Sequence, residues 1–184
     1  PFYKLITSTM EVNILSMAYR GYSYSDKVVV NEVGLKMDVE AIVEFVRDPG
    51  SMEAEIAAAI NPQLIFAHGR SLGGGAAIYM SSIAPDLFRG LIVENTFLSI
   101  SAMVDKLFPF LIPIKQYVLK IGWHNDEIVP DLRLPIFYVT GDLDELVPHE
   151  HTLKLHGDSR LAIFKELLVV EGGTHNDSWY VGGR

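Results

Sequence analysis

The chain contains no cysteine, which removes disulfide frameworks, thiolate nucleophiles and cysteine-rich zinc sites together. Any nucleophile must come from another residue type. Basic charge is also scarce: 15 Lys and Arg stand against 23 Asp and Glu, giving a formal charge of -8. Counterion release from a phosphate backbone needs clustered Lys and Arg, so no nucleic-acid partner is expected. Long apolar runs are lacking too. Residues 107–114 form the longest candidate and are interrupted by Pro109 and Pro113, well short of the roughly 20 residues that span a bilayer. No initiator methionine stands at Pro1, and no signal-like segment precedes the first strand candidate. The chain therefore reads as a fragment or processed product, whose parent has room for a targeting or anchoring segment.

What is present describes a globular domain. With 184 residues, 49% of them hydrophobic, the chain can bury a substantial core, and its length suits one domain. Residues 12–17 are apolar apart from Asn13 and Ser16 and lead into a turn at Gly21, which reads as a buried strand followed by a loop. Leu35, Val39, Ile42, Val43 and Val46 recur at helical spacing, with Asn31 as a cap and Pro49-Gly50 as a stop. Residues 51–60 are alanine-rich and extend or repeat that helix before Asn61-Pro62. Residues 64–67, 90–93, 135–140 and 164–170 read as further strands. Helical or loop segments of crossover length lie between them, predicting a doubly wound, mainly parallel α/β sheet. Residues 96–133 are the least regular part and carry Phe97, Phe108, Phe110, Tyr117 and Trp123. They form either a small cap over an apolar pocket or helices packed on the sheet.

Gly69-Arg70-Ser71-Leu72-Gly73 carries the chemistry. A Ser with Gly two residues away on each side arises by chance in about one chain in twenty of this length. Here, however, an apolar strand (64–67) precedes it and a small-residue helix (72–83) follows, the order that an exposed serine on a sharp strand-to-helix turn requires. A serine hydroxyl needs a base, and the base needs a carboxylate to hold its tautomer. Open parallel sheets place such groups at the carboxyl ends of strands. Asp142 and Asp144 follow one downstream strand and His175 follows the last. Spacing alone does not separate the two aspartates. Glu94 and Asn95 also end a strand near the expected site, where packing or hydrogen bonding to the loop is expected ahead of lining the pocket.

Other residues invite less. His149 and His151 flank Glu150, but on a helix positions i and i+2 point apart, which disfavours a metal pair. His68 suits a strand end lining pocket or core, and His124 and His156 suit the surface. Gly73-Gly74-Gly75 lacks the Gly-Lys-Ser or Gly-Lys-Thr sequel of a phosphate loop.

The order Ser71, aspartate, His175 is that of the α/β-hydrolases. The chain resembles the eukaryotic bud-emergence protein branch of that superfamily through Tyr19-Arg20-Gly21-Tyr22, Gly69 to Gly74, the Asp144 to Pro148 turn and Gly173-Thr174-His175-Asn176-Asp177. The resemblance covers most of the chain and implies Ser71 as nucleophile, His175 as general base and Asp144, three residues before Val147, as the orienting acid. Asp142 is then a turn or cap residue. Leu72 is expected to offer one oxyanion N–H. The second donor belongs to a loop resembling His-Gly-Asn, which in the family precedes Tyr19-Arg20-Gly21-Tyr22. No such motif occurs in the 18 residues upstream, so that donor is expected before residue 1. The family's third strand lies between its fourth and fifth, so residues 12–17 would lack a neighbour if nothing preceded residue 1. A closing helix is expected after the histidine loop, whereas this chain stops at Val181-Gly182-Gly183-Arg184. The expectation is one α/β-hydrolase domain over residues 1–184, incomplete at both ends and lacking its first strands. It would cleave an ester, thioester or amide of a small-molecule or acyl-protein substrate, with acyl-lipid or acyl-thioester substrates preferred and a peptide next. The rival is an idle scaffold used for binding. Arg70, Tyr22 and Glu94 are the candidate pocket residues. No metal or organic cofactor is needed, and membrane association would come through a segment outside this chain.

Overall fold

The computed structural model describes residues 2–48, 50, 52–108, 110, 112–113, 119 and 121–182. Pro49 in the expected helix stop, Ser51 heading the alanine-rich segment, Tyr117 in the aromatic insert, and Gly183 and Arg184 lie outside them. Helix α1 (Phe2–Met10) leads, followed by α2 (Glu32–Arg47) and the short α3 (Ala54–Ala59). Then come β1 (Phe66–Arg70), α4 (Leu72–Ile83), β2 (Gly90–Glu94) and α5 (Ile100–Leu107). A short α6 (Asn125–Ile128) and a 3-10 turn precede β3 (Ile136–Gly141), α7 (Glu150–Asp158), β4 (Lys165–Val170) and α8 (Ser178–Val181).

The four strands form one parallel sheet in the order β1-β2-β3-β4. Parallel neighbours require crossovers, and α4 and α7 supply two of them, with α4 packed on β1 and β2 and α7 on β3 and β4. Alternation along β1 sends Gly69 toward α4, while His68 and Arg70 face the other way. On that second face the ring of Phe2 from α1 meets His68 and Trp179 at 5.4 and 5.6 Å. Helices thus flank both faces. The core lies between the sheet and α4, with Ala67, Ile78, Leu91, Val93, Ile136, Tyr138 and Leu155 buried in it. A second cluster, Leu35, Val39, Ala76, Phe97, Trp123 and Val147, joins α2 to the upper end of α4.

Local rules account for the supporting elements. Asn31 caps α2 by accepting the Gly34 N–H at 2.9 Å, and Leu35, Val39 and Val43 recur four apart on its buried stripe. After Leu72, helix α4 continues with three glycines, which lower its intrinsic helicity by about 1 kcal/mol each. Two of them are there for proximity: a Cβ on Gly74 would sit 2.4 Å from Thr96 Oγ1, and one on Gly75 would sit 2.1 Å from Trp123 Nε1. Close packing replaces propensity as the source of order.

Two expected strands differ from the structure. Residues 12–17 form no strand, and Val12, Ile14 and Leu15 are exposed. A strand exists by its ladder, and no ladder reaches this segment, since β1 ends the sheet order. The strand expected at 64–67 begins two residues later and runs to Arg70, because Phe66 is where pairing with Gly90 starts. Nor is it fully buried: as an edge strand it leaves Phe66 56% exposed. The strands expected at 90–93, 135–140 and 164–170 appear with ends moved by one residue. In the irregular insert, Phe97 and Trp123 are core residues while Phe108 and Phe110 are exposed.

Candidate active site

Strand carboxyl ends gather the polar residues. Ser71 follows β1 directly with φ 54° and ψ -122°, a combination that costs a non-glycine residue on the order of 1–3 kcal/mol. Surrounding bonds hold it there. The Ser71 N–H donates to the Glu94 carbonyl at 2.9 Å, and the Ser71 carbonyl accepts from Gly74 N–H and Thr96 Oγ1, each at 2.9 Å. Gly69 is obligatory to this turn, since its Cβ would lie 2.0 Å from the Gly73 carbonyl oxygen. Gly73 is less constrained, the nearest atom to its Cβ being Tyr19 Oη at 3.9 Å.

The acid and the imidazole meet. His175 Nδ1 and Asp144 Oδ2 are 2.8 Å apart, and both side chains are buried. Asp144 Oδ1 also accepts the Leu146 and Val147 N–H groups at 2.9 and 2.8 Å, so the carboxylate is held in one orientation. Asp142 instead accepts the Gly172 N–H at 2.7 Å, a turn role. Ser71 and His175 line one cavity of about 330 Å³. No hydrogen bond joins the Ser71 hydroxyl to the His175 ring among the described residues. The other walls are apolar: Leu72 from α4, Ile100 and Met103 from α5, and Phe97, Ile121, Leu146 and Val147 from loops. Leu72 opens α4, and the N–H of a first helical residue has no partner within its own helix.

The expected pocket residues lie elsewhere. Tyr22 lines a separate depression with Ser16, Tyr19 and Tyr24, because its loop stands over a different part of the surface. Arg70 points to the opposite sheet face and donates from Nη1 to the His175 carbonyl at 3.1 Å and Asn176 Oδ1 at 3.0 Å. Glu94 is buried at the end of β2 and does not border the cavity. Burial pushes its carboxyl above the usual range, opposed by the charges of Arg70 and His175. Tyr19 is pushed up to about 12 by burial and by the nearby charge of Asp38.

Asn95, next to Glu94, is completely buried at φ 46°. Its Nδ2 donates to the carbonyls of Thr174 and His175 and to Ser178 Oγ, and its Oδ1 accepts the Gly141 N–H. One side chain thereby ties the end of β2 to the ends of β3 and the histidine loop. A polar pair closing an apolar strand was the sequence signal for it. Thr96 on the Ser71 carbonyl, and Glu145 accepting the His175 N–H at 3.3 Å, had no such signal. His151 is buried, its Nδ1 accepting the Leu98 N–H at 3.3 Å, while His149 precedes α7. His156 lies half-buried against Tyr138 rather than on open surface. Among the described residues, no group of three or more His, Asp and Glu is placed to hold a metal, and no helix is long and apolar enough to cross a membrane.

Solved structures share this arrangement of strands and helices. A monoacylglycerol lipase from Paleococcus ferrophilus superposes with TM-score 0.56 at 13% identity, over 86% of this chain and 73% of that one. Est1E from Butyrivibrio proteoclasticus with ferulic acid bound gives 0.61 at 16%, over 85% and 66%. The chain has the α/β-hydrolase fold. Among curated proteins, this chain is 32% identical to Protein bem46 of Schizosaccharomyces pombe, over 97% of its own length and 56% of that protein. It is 27% identical to Alpha/beta hydrolase domain-containing protein WAV2 of Arabidopsis thaliana, over 98% and 59%. The chain thus spans a little more than half of these relatives. No family model matches it.

Proposed function

We propose that this chain carries the acyl-transfer site of a serine hydrolase. The observation that supports this most is the buried 2.8 Å contact of His175 with Asp144, on a ring that shares a cavity with Ser71 at its strained turn. In this reading Ser71 Oγ attacks the substrate carbonyl while His175 Nε2 takes the hydroxyl proton. Asp144 holds the ring through Nδ1 and stabilises the imidazolium. The Leu72 N–H donates to the oxyanion. His175 returns its proton to the departing alcohol, thiol or amine, leaving Ser71 acylated. Water, deprotonated by the same ring, then releases the acid and regenerates the serine. The lack of a hydrogen bond between Ser71 and His175 among the described residues is compatible with this, since catalytic hydrogen bonds often tighten only when substrate binds.

The apolar walls favour an acyl chain, as a lipid ester or an acylated protein, over a peptide. A yeast relative, 30% identical, bears the name of an uncharacterized membrane protein, and membrane association through a segment outside this chain would suit such substrates. A panel of acyl esters, acyl thioesters and peptides tests the reading: turnover should be greatest with acyl esters or thioesters and vanish in Ser71→Ala. Turnover that survives Ser71→Ala contradicts it. The second reading, an idle binding scaffold, draws on the lack of a hydrogen bond between the Ser71 hydroxyl and the His175 ring among the described residues. It is favoured if the folded full-length protein turns over none of the panel.

A further inference from the structure

One stretch of the wall around the Ser71 cavity hangs from a carboxylate on another element. Ile100 and Met103 lie three apart on α5, so they share a helix face, and both border the cavity together with Ile121. All three pack on the cluster that joins α2 to α4. Residues 121–123 belong to no helix or strand, so their backbone groups need partners from elsewhere. Glu32 supplies them: its Oε2 accepts the Gly122 N–H at 2.7 Å and the Trp123 N–H at 3.3 Å, across 90 and 91 residues of sequence. The Gly122 carbonyl in turn accepts the N–H of Ile100, the first residue of α5, at 2.8 Å. Trp123 completes the anchorage. It is 1% exposed at a left-handed φ of 44°, with its ring edge-on to Tyr79 of α4 at 6.4 Å. As the opening residue of α2, Glu32 also suits the helix dipole, and its Oε1 accepts from Lys36 Nζ one turn on at 2.7 Å. Neither of those roles requires the second oxygen to face Gly122.

We propose that Glu32 is a positioning residue for acyl-chain selection. By holding residues 121–123 it sets Ile121, and through Gly122 it sets Ile100 and Met103, as the wall that receives the chain of the acyl group. This rests on the acyl-transfer reading and deepens it to linear acyl groups longer than acetyl. Glu32 itself does not border the cavity, so its influence passes through backbone to the wall. An acetyl group is too short to bury much surface there, whereas each further methylene gains about 3- to 4-fold when fully covered. Loss of the latch therefore weighs more heavily the longer the chain.

The test measures kcat and KM of the full-length protein for p-nitrophenyl esters from acetyl to octanoyl, in wild type, Glu32→Ala, Glu32→Gln, Ile121→Ala and Lys36→Met. In Glu32→Ala, kcat/KM should fall about 10-fold more for the octanoyl than for the acetyl ester, with the excess in KM. Ile121→Ala cuts back the wall directly and should lose the same chain-length preference. Glu32→Gln keeps an acceptor for Gly122 and should recover most of that preference, and Lys36→Met, which removes only the ion pair, should keep it whole. Losses of equal size at every chain length in Glu32→Ala overturn the proposal and leave the acyl-transfer reading standing. Should that variant not fold, equal losses in Ile121→Ala overturn it instead. Equilibrium binding of octanoate against acetate repeats the comparison without turnover. Octanoate binding that weakens in Glu32→Ala, in a protein that hydrolyses none of the esters, supports the wall and sinks the reading.

Discussion

Asn95 Nδ2 donates to the His175 carbonyl at 3.0 Å across 80 residues of sequence, so the end of β2 sets the height of the histidine loop above Ser71. Asn95→Ala would strand the Gly141 N–H and take one donor each from the Thr174 and His175 carbonyls, which keep Ser178 Oγ and Arg70 Nη1. The expected loss is about 2–4 kcal/mol. Urea unfolding measures it, and activity should fall further than the folded fraction does.

Gly69 and Gly73 look equivalent in the motif and are not. Gly69→Ala must displace backbone, its Cβ falling 2.0 Å from the Gly73 carbonyl oxygen, and should cost more than about 3 kcal/mol. Gly73→Ala meets nothing closer than 3.9 Å and should stay within about 1 kcal/mol of wild type. Thermal melts of the two variants make the comparison.

Ser71 holds a left-handed φ of 54° that glycine adopts freely. Ser71→Gly should therefore be more stable than Ser71→Ala by about 1 kcal/mol or more, although both lack the hydroxyl. Equal denaturation midpoints would mean that the turn stores no strain.

The pKa of Glu94 is raised above the ordinary 4.5, chiefly by burial. A group raised in the folded state contributes its stability below its unfolded pKa and loses it as pH rises through the folded value. Glu94→Gln removes that loss. The variant should melt higher than wild type at pH 7.5, with the advantage shrinking through the window above 4.5 and gone at about pH 4, where both side chains are neutral. Melting curves across pH follow the crossover.

Much of this was legible in the chain, for reasons that also mark where reading stopped. Helix α2 announced itself through Leu35, Val39 and Val43 and its Asn31 cap, because periodicity and capping are local. The turn at Ser71 was legible because strand, glycine and helix adjoin. His175 and the pair Asp142 and Asp144 follow from order along the chain, a property of the sheet's topology, while only the family resemblance singles out Asp144. Residues 12–17 misled because apolar composition signals burial without revealing whether a ladder partner exists. Tyr22, Arg70 and Glu94 are expected at the pocket, whereas the parity of β1 and β2 turns Arg70 and Glu94 to the other face of the sheet and Tyr22 lines a separate depression. Thr96 acts through the Ser71 carbonyl, a contact with no sequence pattern, and Asn95 shows in the sequence only as half of a polar pair closing an apolar strand.

The central claim is that Ser71 is a nucleophile activated by His175, and a fluorophosphonate probe reads it most directly. Intact-mass analysis of the full-length protein should show one phosphonyl adduct, mapped to Ser71, absent in Ser71→Ala and slowed at least 10²-fold in His175→Ala. A folded protein that takes no adduct, or takes it equally in Ser71→Ala, contradicts the account.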